Sequence, residues 1–384
     1  MITARDAAGN TDTDFTETVT LTEASPGSLS GASVAASNGV ATFTAVNYSA
    51  SADQESFTLT ADDDNGSGTN LPTINASAVT SDVVATVLAF STQPAGSVSG
   101  SALTTQPVVT ARDAAGITDT GFTETITLTE ASAGSMSNGS VSAVAGVATF
   151  TALNYTATAD QQSFTLTADD DVGVGTDLST VNASSVTSDV VATQLVFNTQ
   201  PVPLTVNNGE ATAMTTVPVV SARDANNIVD TSYSTGIVLA EVNGAGSATM
   251  SGTGDSDGNG ATVTITPSSG VSTFTGLSLT YTASGGSSEN FNVQASSGGL
   301  STANSSQLTG LVMDTDGSLT SAAGVTEPVA IGTTLDSVGE AVNVFDFTLS
   351  DGGTADGQAL SVSQVVLNVT GTASDAERAN VTWR

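Results

Sequence analysis

The groups in this chain best able to do chemistry are its carboxylates, and they come in clusters. Asp6, Asp12 and Asp14 stand in one turn-rich stretch and Asp62, Asp63 and Asp64 in another. The same spacing returns as Asp113 and Asp119, followed by Asp169, Asp170 and Asp171. Carboxylates held within about 6 Å of one another repel unless a counter-charge or a proton intervenes. The counter-charge that suits them is a hard divalent cation, since Ca²⁺ takes about six to eight oxygens from carboxylates, carbonyls and water. A further run, Asp255-Ser256-Asp257-Gly258-Asn259-Gly260, matches the first half of an EF-hand loop, although Thr266 stands at the twelfth position instead of a bidentate Glu. Asp314-Thr315-Asp316-Gly317 repeats the theme in shorter form. Calcium is thus the expected cofactor and these residues its expected ligands. The competing use of the same side chains is a solvated acidic face and ordinary Asp/Gly turns.

Composition removes most other chemistry. The five cationic residues are all Arg, against 38 acidic ones, and there is no Lys, His or Cys. Serine therefore has no usual base, no thiolate nucleophile exists, and neither a disulfide nor a Cys/His zinc site can form. Paired carboxylates could hydrolyse glycosides, but these lie in loops that read as joints, not as a cleft. The expectation is no enzyme. A net charge of −33 with scattered arginines gives phosphates nothing to bind, so nucleic acid is not a partner. No apolar run is long enough to cross a bilayer as a helix.

The elements that must position the carboxylates follow from a repeat. Displaced by 107 residues, positions 1–86 align with 108–193, and 64 of the 86 are identical. Phe15, Phe43, Tyr48, Phe57 and Phe90 recur as Phe122, Phe150, Tyr155, Phe164 and Phe197. A more divergent third copy answers Ala4-Arg5-Asp6 with Ala222-Arg223-Asp224. The expected domains are 1–86, lacking its first strand; 87–193, complete; 194–309, divergent, with an insertion near 244–264; and 310–384, the start of a different β-rich domain. Within a copy, runs such as Thr125-Ile126-Thr127-Leu128-Thr129 alternate apolar residues with threonine, as a half-buried strand requires. About seven such strands per copy suit an immunoglobulin-type sandwich. The fold class read here is all-β: tandem immunoglobulin-like antiparallel β-sandwiches arranged as an elongated rod.

If seven strands alternate in direction, the loops after the second and the sixth share the pole at which the domain begins. Asp6, Asp12 and Asp14 then meet Asp62, Asp63 and Asp64, and Asp113 and Asp119 meet Asp169, Asp170 and Asp171, each group facing the exit of the preceding domain. The third copy is an internal control, because its stretch 294–304 has no Asp. Arg5, Arg112 and Arg223 each end a strand beside an Asp and are expected to pin the neighbouring loop. Tyr48, Tyr155 and Tyr281 occupy one repeat position and belong to the fold, whereas Tyr233 and Trp383 are unique.

The succession Val-Thr-Ala-Arg-Asp-Ala-Ala-Gly, Thr-Ile-Thr-Leu-Thr, Gly-Ser-Met-Ser, Gly-Val-Ala-Thr-Phe and Phe-Thr-Leu-Thr-Ala between Val109 and Ala168 resembles the bacterial Ig-like repeats of invasin, intimin and large surface adhesins. The likeness covers roughly the first 310 residues. Phe345-Asp346-Phe347-Thr348-Leu349-Ser350-Asp351-Gly352 is similar to segments of other large bacterial surface proteins. The resemblance implies a non-catalytic stalk at the bacterial cell surface, with a host-cell, matrix or glycan ligand bound by a module outside this chain. The first copy has no counterpart of 87–107, which reads as a piece of a longer protein. The alternatives are a filament subunit assembled by strand donation, or a direct glycan- or protein-binding adhesin module.

Overall fold

The computed structural model describes residues 1–63, 70–170, 177–313, 318–321, 324 and 347–350. Every regular element among them is a strand, and none is a helix, so no helix among them is long and apolar enough to cross a membrane. The chain divides into two compact units, Met1–Val191 with Asn226–Asp230, and Ala192–Ala225 with Thr231–Arg384.

Within the first unit the second copy of the repeat is the fullest. The strand Thr125–Thr129 buries Ile126 and Leu128 and leaves its threonines on the other face. It lies between Ser140–Ser142 and Thr167–Asp170, with Val181–Asn182 beyond the latter. Facing sheets close over one core in which Phe150, Leu153, Tyr155 and Leu166 are all but inaccessible. The ring of Tyr155 stacks on Phe164 at 3.9 Å between centroids, and Tyr48 on Phe57 repeats this at 3.8 Å. Gly134 is required for a steric reason: a Cβ there would stand 2.2 Å from the Tyr155 hydroxyl.

One feature departs from a purely antiparallel sandwich. The segment starting at Val87 pairs antiparallel with Val108–Arg112, breaks at Pro94 and Gly96, and crosses over so that Ser97–Val98 runs parallel to Ser188–Asp189. Ser101–Ala102 then pairs with Tyr155 and Asn154. The third copy repeats the crossing, with Thr205–Asn207 parallel to Thr309–Leu311. Proline withholds a ladder donor and glycine relaxes the backbone, which frees the segment to leave one sheet for the other.

The second unit has its own core around Tyr281, Phe291, Phe274 and Leu239, with Tyr281 stacked on Phe291 at 4.2 Å. The insertion lengthens the connection between Ser247–Ser251 and Thr262–Ile265, two strands that join different sheets as Ser135–Ser137 and Ser140–Ser142 do in the second copy. From the expected last domain, the described residues contribute Ser318–Ser321 paired with Phe347–Ser350.

Candidate metal centre

The carboxylates of Asp169, Asp170 and Asp177 each place an oxygen within 4.8 Å of the others. Asp169 and Asp170 end the strand Thr167–Asp170, and Asp177 begins the chain's return toward Val181–Asn182. Asp170 is 2% exposed, and both its oxygens receive the amide of Leu178, at 3.1 and 3.3 Å. Burial pushes its pKa up, opposed by the Leu178 amide, and the charges of Asp177 and Asp169 push it further in the same direction. Two exposed or half-exposed oxygens beside a buried one form a small oxygen-only site, the donor set a hard cation prefers. Asp177 was not among the expected ligands. Its signal was its place seven residues after Asp170, directly before the buried Leu178; in the first copy Asn70 stands there.

The remaining candidates are placed otherwise. Asp63 repeats Asp170, buried and accepting the Leu71 amide, with Asp62 half-exposed beside it. Asp6 and Asp113 close their own turns. Asp6 receives the amides of Ala8 and Asn10 and the Asn10 side chain, which holds its pKa down, and Asp113 receives the amides of Ala115 and Ile117. Asp12 caps the amide of Asp14. Asp119 accepts the Gly121 amide and, with its other oxygen, the Ala85 amide from the segment joining the first copy to the second. Asp64, Asp171, Asp314, Asp316 and Trp383 lie outside the described residues.

In the insertion, Asp255 accepts the amides of Asp257 and Thr264. Asp257 accepts the hydroxyls of Thr264 and Thr262 and the Asn259 amide, which lower its pKa with Thr264 contributing most. Asn259 accepts the amides of Ala261 and Thr262. These three residues thus tie the inserted connection to itself and to the strand Thr262–Ile265 that follows it. Arg5 and Arg112 donate to neutral oxygens, those of Gly9 and Thr110.

The third copy shows what replaces the buried acid. Ala295 pairs with Leu239 as Ala168 pairs with Leu128, which places Ser297 where Asp170 stands. Ser297 donates to the Gly236 carbonyl at 2.7 Å, and the otherwise unique Tyr233 bonds it at 2.7 Å.

A residue that the sequence reading passed over joins two copies. Asp53, in the turn before Ser56–Phe57, accepts the amides of Val83 and Gln54 with one oxygen and that of Thr120 with the other. Burial works against the charge, but these bonds and the Thr120 hydroxyl hold its pKa down to about 2. Its signal was the dipeptide Asp53-Gln54, repeated as Asp160-Gln161, with Gln54 and Gln161 both at φ 57°.

No protein-family model and no curated protein matches the sequence. Among solved structures, the chain is similar to Yersinia pseudotuberculosis InvD at 13% identity over 80% of this chain and 92% of that one, with a TM-score of 0.30. It is also similar to the FN1–FN3 domains of chicken CNTN1, at 9% identity over 78% and 90%, with a TM-score of 0.29. The fibronectin(III)-like modules of Clostridium thermocellum CbhA align at 11% identity over 59% and 94%, with a TM-score of 0.17. The all-β class rests on the chain's own sheets.

Proposed function

We propose that this chain is a segment of the stalk of a bacterial surface protein, built of invasin-like Ig repeats, that carries a binding module away from the cell and performs no catalysis itself. The observation that carries the reading is modular. Two copies identical at 64 of 86 positions hold separate apolar clusters and are tied in series by Asp53 to Thr120 and by Asp119 to Ala85. Serial modules with a fixed joint transmit force and span distance, and the chain's acidity keeps such a surface soluble. The ligand, a host-cell, matrix or glycan group, falls to a module outside this chain. Calcium bound at Asp169, Asp170 and Asp177 would clamp the end of the strand Thr167–Asp170 to the residue before the buried Leu178.

Small-angle scattering tests this. Each repeat should add about 35–40 Å, from strands of six to eight residues at ~3.3 Å each plus loops, and a chelator should shorten the maximum dimension or broaden its distribution. A particle as compact as a single globular domain of this mass would refute the stalk. A profile unchanged by chelation would refute the calcium alone.

A further inference from the structure

In the second and third copies an early strand is paired with the last one, and the two run the same way. In the second copy Ser97–Val98 lies parallel to Ser188–Asp189, the end of the last strand Val186–Asp189, and the Ser99 amide donates to the Asp189 carbonyl at 2.8 Å. The hydroxyls of Ser97 and Ser188, both buried, meet at 3.1 Å. In the third copy Thr205–Asn207 lies parallel to Thr309–Leu311, the end of its last strand Leu308–Leu311. This seam is longer. Three residues pair instead of two, and the Thr309 amide donates to the Leu204 carbonyl and the Asn208 amide to that of Leu311, at 2.8 and 2.9 Å. It is also packed: Val206 is fully buried within it, and Gly310 lets the Tyr281 ring lie against the strand, since a Cβ there would stand 2.2 Å from that ring.

Direction decides how such a seam bears load. On the stalk reading a copy is pulled at its two ends, so the early strand is drawn from its beginning and the last strand from its end. In a parallel pair those pulled ends lie at opposite ends of the seam, and its hydrogen bonds are loaded together in shear. In an antiparallel pair they would be neighbours, and the bonds would open one after another, each under the full load. Val87–Thr92, nearer the N-terminal end, pairs with Val108–Arg112 and not with the last strand. Peeling it away therefore lengthens the copy and leaves the seam to hold it.

We infer that these parallel seams are the force-bearing catches of the two copies and that they rank them, the second copy giving way before the third. The chain thus contains a link that yields under tension while its neighbour with the longer, packed seam stays folded.

Constant-force stretching of the full chain by its ends tests this, because forced unfolding follows the unfolding rate. The chain has no Cys, so S97C/S188C, which replaces the two touching hydroxyls, supplies a lone cross-link. Oxidised, it locks residues 97–188, and the event it abolishes is that of the second copy. T205C/T309C, at paired positions whose spacing suits a disulfide, marks the third copy in the same way. In the unmodified chain the second copy's event should come first. S99P then tests the seam itself. Ser99 stands at the first corner of a turn whose second corner is Gly100 at φ 78°, where proline fits. The substitution removes one seam donor together with the Ser99 hydroxyl that accepts the Ala157 amide, whereas S99A removes the hydroxyl alone. At the same force the second copy should unfold about fivefold faster in S99P than in S99A, the effect of one lost hydrogen bond. Equal rates in S99P and S99A, or a third copy that gives way first, would overturn the proposal. Ruptures that still came one copy at a time would leave the stalk reading standing in either case.

Discussion

Asp53 of the first repeat accepts the backbone amide of Thr120 of the second at 2.9 Å, and its other oxygen accepts the amides of Gln54 and Val83, each at 2.8 Å. One carboxylate thus fixes its own turn, the exit of its own repeat and the entrance of the next. D53A should cost about 1 kcal/mol, a charged hydrogen-bond contribution discounted for solvent access, while D53N retains part of it. Denaturant titration of the full chain measures the difference. Broadened dipolar couplings between the repeats in D53A would show that the joint itself has loosened.

Acid should act in two steps of opposite sign. Asp170 and Asp189 have pKa values raised by burial and by neighbouring carboxylates, so their charge costs stability near neutrality and the cost is relieved as they protonate above the ordinary value near ~3.9. Asp53 and Glu55 are depressed to about 2: burial opposes this at Asp53, where hydrogen bonds prevail, and the Ser51 amide leads at Glu55. Their contribution is present above the unfolded values near ~4 and is lost as pH falls through about 2. Melting temperature recorded from neutrality downward should hold or rise slightly, then drop below about pH 4. A monotonic fall starting near neutrality would contradict this assignment.

In chelated buffer, D170N should leave stability unchanged or raise it, because the amide oxygen still accepts the Leu178 N–H and the charge facing Asp169 and Asp177 is gone. In calcium the wild type should gain thermal stability and D170N should not. Thermal melts at matched ionic strength check both arms.

At Gly134, a methyl group would meet the Tyr155 hydroxyl at 2.2 Å and displace a ring stacked on Phe164. G134A should therefore cost about 1–3 kcal/mol, the usual range for overpacking a filled core. Calorimetry of the full chain should show the transition of the second repeat moving to lower temperature.

Much of this was legible in the sequence, because periodicity records burial. Alternation placed Ile126 and Leu128 inward, and recurrence marked Tyr48, Tyr155 and Tyr281 as framework. The parallel crossing at Ser97–Val98 was not legible, since a two-residue strand has no period to detect. The metal candidate was read in part. Asp169 and Asp170 were marked by their charge, but turn chemistry claims Asp6 and Asp113, and Asp177 is brought in only by the return of the chain. Asp53 was hidden because its partners lie 30 and 67 residues away. Tyr233 has no counterpart in the other copies, and its partner Ser297 stands at the site of the absent acid, a relation that only the sheet register reveals.

Stretching single molecules of the full chain tests the modular account most directly. Independent sandwiches in series should rupture one at a time, each event of a complete repeat releasing about 350 Å of chain, from 107 residues at up to ~3.6 Å each less the folded length. A single rupture that releases the whole length at once would show one shared interior and contradict the account.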